Sequence, residues 1–488
     1  MGKTCAVIGS GIAGLAAAIR ISAKGYKVDV YESNSTPGGK ISEKHIDGYR
    51  FDMGPSVFML PGLIDELFTL CGKNPKDYFS YKPVKDPFRY FFEDGSIINA
   101  CSDLNEFAAE LELKTGTPPV VFNKYLKDIA VKYDITSGVF IENSLHVLRN
   151  YFTKKFISGI FNFNKIDTFK SMDELNRRFF KDKRVIQIFN NYATYIGSDP
   201  LTTPATLNVI QHLELNTGVF LPDKGMYDIV NSLTKLAKEI GVTFHLNTPV
   251  EEIGVTEGSI SGVTLRDGTA VPYDSVVSNM DVYFTYRRLL RSQPAPERIL
   301  AQPKSTSLLC FYWGINREYP ELNLHNLFFA ANDNEEYETI FQKGVISSDP
   351  SIYLFISSKY VPADAPPGSE NWFLLVTAPN DNGQDWDTIR LDTRKKIIEK
   401  INRMLRTDIE QHIVCEEFLT PKIILNKYAS AFGAVYGNSS NNRFSAFQRH
   451  PNFSRKIKGL YFVGGSVHPG AGIPLCLNSA KILEKVFK

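Results

Sequence analysis

Lys3-Thr4-Cys5-Ala6-Val7-Ile8-Gly9-Ser10-Gly11-Ile12-Ala13-Gly14-Leu15 decides the fold of this chain: a short apolar strand enters a G-x-G-x-x-G turn, and an Ala/Ile/Leu-rich helix continues to Ala23. Val28-Asp29-Val30-Tyr31-Glu32 then reads as a second strand ending in a carboxylate. In this setting Gly9 permits the tight turn and Gly11 lets the backbone approach a pyrophosphate. Gly14 lets the helix pack closely on the strand. The helix start at Ile12 and Ala13 offers unpaired N–H donors and a favourable dipole to phosphate. Glu32, about 20 residues beyond the turn, is placed to accept from ribose hydroxyls and repels a 2′-phosphate. Strand, helix and acid in register predict a dinucleotide-binding Rossmann unit in an α/β protein.

The far end of the chain repeats the theme. Gly459-Leu460-Tyr461-Phe462-Val463-Gly464-Gly465 runs another strand into glycines, followed by His468-Pro469-Gly470-Ala471-Gly472-Ile473-Pro474. No second G-x-G-x-x-G opens a helix after a strand, as an enzyme binding both a flavin and a pyridine dinucleotide normally requires. Pro37-Gly38-Gly39-Lys40 and Phe51-Asp52-Met53-Gly54-Pro55-Ser56 suit a second pass of backbone along one long cofactor. A dinucleotide held by both ends of a chain points to FAD and to a redox enzyme.

Composition sets the outer bounds. With 488 residues, 43% hydrophobic and 22% charged, the chain has material for two or three domains. No run approaches 18 uninterrupted apolar residues, so no membrane-spanning helix is expected. The nucleotide motif begins so near Met1 that no cleavable leader is expected, and Gly2 lacks the myristoylation context. Cys5, Cys71, Cys101, Cys310, Cys415 and Cys476 form no C-x-x-C pair and read as reduced core thiols of a cytoplasmic protein, with neither a metal site nor a disulfide frame. A net charge of +2 argues against nucleic acid as a partner.

Organisation along the chain is discontinuous. The pattern predicts an FAD-binding domain from residues 1–85, 222–290 and 425–488, and a substrate-binding sheet domain from 86–104, 205–221 and 291–424. Residues 105–204 form a helical subdomain, with helices at 120–139 and 185–193. A helix is expected over 227–241 and a strand over 242–246. Strands at 250–253 and 261–265 flank a Thr256-Glu257-Gly258 turn, with another turn at Arg266-Asp267-Gly268-Thr269 and a strand at 276–279. Residues 305–420 alternate strands and loops, as at 351–357 and 372–378.

The chain resembles the FAD-dependent carotenoid desaturases of bacteria and fungi, the phytoene desaturase type, along essentially its full length. The nucleotide turn, Glu32, Gly38-Gly39-Lys40, residues 48–56, Thr202-Thr203-Pro204-Ala205 and Val276-Val277-Ser278-Asn279 carry that resemblance. The most specific match runs from Gly459 to Pro474. The resemblance implies a glutathione-reductase-like FAD fold with an inserted substrate domain. It also implies desaturation of a long-chain carotenoid, by hydride transfer to flavin N5 with proton loss from the neighbouring carbon. The step is either early, as on phytoene, or late, as in 3,4-desaturation of a hydroxylated or monocyclic carotenoid. Oxygen and a quinone both remain open as electron acceptors. Three departures stand out: Pro222-Asp223-Lys224-Gly225-Met226, Lys40 where arginine is also common, and Leu475-Cys476-Leu477-Asn478 in place of small residues.

Residue roles then follow. Gly9, Gly11 and Gly14 surround the pyrophosphate. Gly39 belongs to the second pass of backbone along the cofactor, and Lys40 beside it reaches a phosphate or stands as a solvated loop lysine, while Gly54, Pro55 and Ser56 lie near the flavin or its ribityl chain. Val250 offers backbone groups to the adenine or is a core valine. Gly464 and Gly465 carry the strand edge to the cofactor. Gly472, Ile473 and Pro474 open a last helix whose N-terminus stabilises charge on the reduced flavin. His468, the histidine placed near this site by the sequence, shapes the loop or meets substrate. No catalytic base is named; His212, Glu214 and Asp199 are read as structural.

A carotenoid must be drawn from a bilayer, and residues 145–184 suit peripheral membrane contact. Tyr151, Phe152, Phe156, Ile157, Ile160, Phe161 and Phe163 interleave with Arg149, Lys154, Lys155 and Lys165; Phe179 and Phe180 lie among Arg177, Arg178, Lys181 and Lys183. The alternative is an ordinary amphipathic helical domain with a solvated basic face. Other functions on the same scaffold are carotene isomerisation, amine oxidation, and prenyl-lipid binding of the GDP-dissociation-inhibitor kind without flavin chemistry.

Overall fold

A parallel five-stranded sheet organises both ends of the chain. The computed structural model describes residues 2–162 and 165–488. The sheet order is Leu460–Phe462, Ser275–Ser278, Thr4–Ile8, Lys27–Tyr31, Thr243–His245, with every pairing parallel. Parallel strands are covered on both faces, and Cys5 to Ile8 are accordingly all buried. Helix Ile12–Ala23 is buried along Ile12–Ile21, including Arg20. That buried guanidinium pairs with Glu66 at 2.8 Å and Glu484 at 2.7 Å, which binds the first helix to Gly62–Leu70 and to the last helix, Ile473–Val486. The hairpin Val250–Thr256 and Ser259–Leu265 turns through Glu257 and Gly258, both at positive φ, and Ala270–Pro272 completes a three-stranded antiparallel sheet.

A seven-stranded mixed sheet forms the second layer, in the order Ile413–Leu419, Ser307–Ile315, Glu370–Ala378, Ile352–Phe355, His325–Phe328, Phe88–Phe91, Ile97–Ala100. Its longest interior strands include SLLCFYWGI, second in that order, which is apolar on both faces because both are covered. Leu309, Phe311, Trp313 and Ile315 join the core under helix Trp386–Leu405, while Cys310 and Tyr312 face the opposite core. The same two-residue alternation in Glu370–Ala378 sends Phe373 and Leu375 to the inner face and Trp372, Leu374 and Val376 to the outer.

Helices Leu104–Thr115, Pro119–Thr136, Lys154–Phe161, Met172–Phe179 and Lys183–Asn190 make the third part. The helix expected over 120–139 closes at Thr136 and passes into a π-helical turn, Ser137–Ile141. Two expectations meet exceptions. Hairpin Glu43–Ile46/Tyr49–Asp52, inside residues 1–85, plants Tyr49 and Phe51 in the core of the large sheet, where Tyr312 donates to the Met53 carbonyl at 3.0 Å. Helix Val209–Leu215, inside residues 205–221, packs on Pro119–Thr136 rather than joining the sheet. In both cases burial of large apolar side chains overrides chain proximity.

In the aromatic–basic stretch, Leu148, Phe152 and Phe161 are 80%, 80% and 81% exposed. Tyr151 and Phe156 instead turn toward each other, rings 4.5 Å apart. Phe179 and Phe180 belong to the interior against Tyr125, at 5.2 and 5.0 Å, so those two do not contribute to an exposed patch. Phe163 and the side chains of Lys155 and Ile160 lie outside the described residues. Exposed Phe444 and Phe447 add to the apolar surface from a distant segment; Phe447 packs on Phe140, and Arg443 lies over Phe169. Among the described residues, no helix is long and apolar enough to cross a membrane.

Candidate functional site

A cavity of about 750 Å³ runs between the two sheets, and most of the sequence-predicted residues line it. Gly9, Gly11, Ile12, Ala13 and Glu32 form one wall. Gly39, Lys40, Gly54, Pro55 and Ser56 form a second, Val250 closes one end, and Gly464, Gly465, Gly472, Ile473 and Pro474 supply a third wall. Gly14 does not line it. A Cβ on Gly14 would meet the Gly9 carbonyl oxygen at 2.1 Å, so this glycine lets the helix approach the turn instead of surrounding a phosphate.

The cradle is built largely of backbone. Gly38 N–H donates to the Ser10 carbonyl at 3.0 Å, and a Cβ on Gly39 would stand 3.4 Å from Gly11 Cα. The second glycine segment thus runs directly along the first. Glu32 is buried and its carboxylate accepts five hydrogen bonds: Ser10 N–H and Oγ donate to Oε2 at 2.9 and 2.7 Å, and Asn34 N–H, Asn34 Nδ2 and Ser33 Oγ to Oε1 at 2.9, 2.7 and 3.3 Å. Gly472, at φ 99°, precedes helix Ile473–Val486 with no side-chain cap. A helix start leaves its first N–H groups without intrahelical partners, and here they adjoin the cavity. Pro474 has no N–H to leave unpaired there. Uncapped helix starts at two walls and a close-fitting glycine cradle suit an extended anionic dinucleotide.

Asn279 is the residue that motif reading undervalued. Its Nδ2 donates to the Gly9 carbonyl at 3.2 Å, and a Cβ on Gly464 would meet its Oδ1 at 2.8 Å. One amide therefore sits between the glycine segments of both termini. The signal was its place at the end of Val276-Val277-Ser278, the strand flanked by those of both ends.

Other expectations are corrected or sharpened. Lys40 is no solvated loop lysine: Nζ donates to the Val435 carbonyl at 3.0 Å, and burial pulls its pKa down, opposed by nearby Asp281 and Cys476. Val250 both lines the cavity and packs against an apolar cluster. His468 lies outside the cavity wall, buried, with Nε2 on the Asn143 carbonyl at 2.9 Å. This places it in the loop and not on the cavity. It is also not alone, since His146 faces it edge-on at 5.9 Å, and burial lowers both imidazoles to a pKa of about 4. None of the six cysteines is paired, and Cys310 and Cys476 line the cavity instead of a sealed core. Among the described residues there is no cluster of three or more metal-ligating side chains.

Beyond the glycine cradle the lining becomes apolar. Strand register places Leu327, Tyr353, Leu375, Cys310 and Leu419 side by side across five strands, all facing the cavity. Tyr353 is the polar member of that row. Its hydroxyl meets Ser56 Oγ at 2.6 Å and His325 Nδ1 at 2.7 Å, and burial holds the His325 pKa down at about 3.

A second buried group ties the parts together. Arg50 pairs with Asp52 at 2.7 Å, Asp364 at 3.2 Å and Glu43 at 2.8 Å. Asp52 also accepts the N–H groups of Met226 and Tyr227 at the start of helix Tyr227–Glu239. A Cβ on Gly225, at φ 79°, would strike the guanidinium at 2.3 Å, which accounts for a glycine in the unusual Pro222–Met226 segment.

Comparison with known proteins agrees with this geometry. The family model for flavin-containing amine oxidoreductases matches residues 12–482. A 1-hydroxycarotenoid 3,4-desaturase of Flavobacterium sp. is 45% identical over 480 residues, covering 98% of each chain. A 4,4'-diapolycopene oxygenase of Methylomonas sp. is 35% identical over 495 residues, 98% of this chain and 96% of that one. A solved putrescine oxidase variant shares the fold with a TM-score of 0.64 at 12% identity, over 99% of this chain and 98% of its own.

Proposed function

This chain belongs to the flavin-containing amine oxidoreductase family, and we propose that it is an FAD-dependent carotenoid desaturase of the late type, acting on the 3,4 bond of a 1-hydroxylated carotenoid. The full-length match at 45% identity to a 1-hydroxycarotenoid 3,4-desaturase carries the reading. The apolar row Leu327–Tyr353–Leu375–Cys310–Leu419 supports it, because a polyene has almost no polar group to recognise and needs a dry, flat floor. Amine oxidation wants a polar, charge-matched pocket, and prenyl-lipid binding leaves the glycine cradle without a task.

FAD, when bound, supplies the hydride acceptor. The cradle of Gly9, Gly11, Gly39 and Gly464 and the two uncapped helix starts would hold its pyrophosphate and flavin ends, with Glu32 at the ribose. Gly54, Pro55 and Ser56, the last hydrogen-bonded to Tyr353 of the apolar row, would lie beside the flavin. The leucines of the sheet floor orient the chain and exclude water. Lys40, half-buried beside Cys476, would stand with its amine near the start of the last helix. Exposed Leu148, Phe152, Phe161 and Phe444, flanked by Arg149 and Lys154, lay this face on anionic bilayer, from which the substrate enters. Oxygen or a quinone reoxidises the enzyme.

The test is to load purified protein with FAD and offer phytoene, lycopene and 1-hydroxylated carotenoids separately in liposomes. A red-shifted product that has lost two hydrogens, from the 1-hydroxylated substrate above the others, is expected. A product that gains oxygen instead places the protein with its 35%-identical oxygenase relative, and no product from any carotenoid overturns the reading.

A further inference from the structure

Among the described residues, Glu214 is a carboxyl without a cation. It lies on helix Val209–Leu215, 5% exposed, and its two oxygens accept from tyrosines: Tyr192 Oη on Oε1 and Tyr195 Oη on Oε2, the latter at 3.1 Å. Among the described residues the ionisable groups that face it are Tyr90, Tyr192, Tyr195 and Tyr353. Unpaired burial is costly for a carboxylate, and it raises this group to a pKa of about 7. Tyr192 is sealed inside, whereas Tyr195 is half-buried and forms part of the cavity wall. Tyr353 of the apolar row lies near this cluster and hydrogen-bonds Ser56. The carboxyl therefore connects to the cavity through one hydroxyl, beside the turn assigned above to the flavin.

Desaturation removes two hydrogens from adjacent carbons, and only one leaves as hydride. We propose that Tyr195 and Glu214 form the relay that accepts the other as a proton, Tyr195 touching the substrate and Glu214 acting through it. One carbon of the substrate passes a hydride to the flavin. The C–H pair of its neighbour becomes the new π bond, and that proton moves to Tyr195 Oη as the tyrosine's own proton passes to Glu214. The carboxylate becomes a neutral acid and returns the proton to solvent between turnovers. Other buried groups are poorly suited. Glu336 lines the cavity and is raised alike, but Ser351 holds both its oxygens through its own N–H and Oγ, at 2.6 Å each. Lys400 lies nearby, so among the described residues no tyrosine carries a proton to it from the cavity. The low pKa of His325 prevents it from keeping a proton. A base acts best when its pKa lies near the working pH.

The inference rests on the desaturase reading, and the experiment separates the two. FAD-loaded wild type, Glu214→Gln, Glu214→Asp and Tyr195→Phe are mixed anaerobically with a 1-hydroxylated carotenoid in liposomes between pH 5.5 and 9, and flavin reduction is followed. The wild-type rate should fall about tenfold per unit below the carboxyl's pKa. Glu214→Gln and Tyr195→Phe should each be slower by roughly 10²–10⁴-fold with that limb lost. Glu214→Asp should recover part of the rate, while flavin content, melting temperature and KM stay near wild type. A structural role alone would lower flavin content or melting temperature and leave the pH profile of the folded protein intact. Glu214→Gln reducing flavin within threefold of wild type, with the same pH dependence, overturns the relay and spares the desaturase. If Glu214→Gln does not fold, Tyr195→Phe decides by the same criterion. Wild type whose flavin is reduced by none of the carotenoids offered refutes the desaturase and the relay with it.

Discussion

Gly14→Ala puts two physical effects in direct opposition. Helix propensity alone favours alanine over glycine by about 1 kcal/mol inside a helix, and Gly14 lies in the first turn of Ile12–Ala23 at an ordinary φ. The added methyl, however, would stand 2.1 Å from Gly9 O, 2.9 Å from Asn279 Nδ2 and 3.2 Å from Asn279 Cβ. Ordinary contact begins at 3.4 Å, so the turn must give by more than an ångström, and what it meets first is backbone. Overpacking of this kind costs about 1–3 kcal/mol, and the upper end applies because Asn279 also braces the turn. After the propensity gain, about 2 kcal/mol remains. The displaced atoms are the cradle, so the loss should fall on cofactor affinity, roughly thirtyfold at about 1.4 kcal/mol per tenfold. Titrating apoprotein with FAD while following flavin fluorescence, alongside thermal melts of apo and loaded protein, measures both. A variant that binds FAD within threefold of wild type and melts at or above it would refute the close-packing account of Gly14.

Three further outcomes are expected. Arg50→Met leaves the buried Asp52 and Asp364 carboxylates uncompensated and should destabilise by about 3–5 kcal/mol; a change under about 1 kcal/mol in urea unfolding contradicts the tie between helix Tyr227–Glu239 and the large sheet. His468, with its pKa held near 4, binds fewer protons folded than unfolded below about pH 6.5, so its contribution is full above 6.5 and is lost as pH falls toward 4. Relative to His468→Asn, wild type should lose about 1.6 kcal/mol in all between pH 6.5 and 5; the paired comparison removes Glu214 and Glu336, whose raised values act with opposite sign. The double variant Phe152→Ser/Phe161→Ser, at two side chains already exposed, should leave the melting temperature unchanged and cut flotation with anionic liposomes severalfold; undiminished flotation removes that face as the membrane contact.

How far the site was legible depended on whether function lay in backbone or in side-chain meetings. Gly9, Gly11 and Gly464 were readable because a glycine turn between a strand and a helix has one common use and needs no partner from elsewhere. Lys40 was not, since its surroundings come from Val435 and Cys476, about 400 positions away. Glu214 looked structural for the same reason: the tyrosines that meet it follow no local spacing rule. Phe179 and Phe180 looked like surface aromatics among lysines and arginines, and burial against Tyr125 reversed that.

Local chemistry thus determined the strand–turn–helix unit, the acid after the second strand, the FAD cofactor and the alternation of the sheet strands. Each depends on periodicity or on backbone freedom within a few residues. Tertiary structure alone decided that Asn279 joins both termini, that Arg50 spans the two layers, that five strands align an apolar floor, and that a carboxyl lies behind Tyr195. Those features arise when segments hundreds of residues apart are pressed together by burial, and pairing of that range leaves no period in the chain to read.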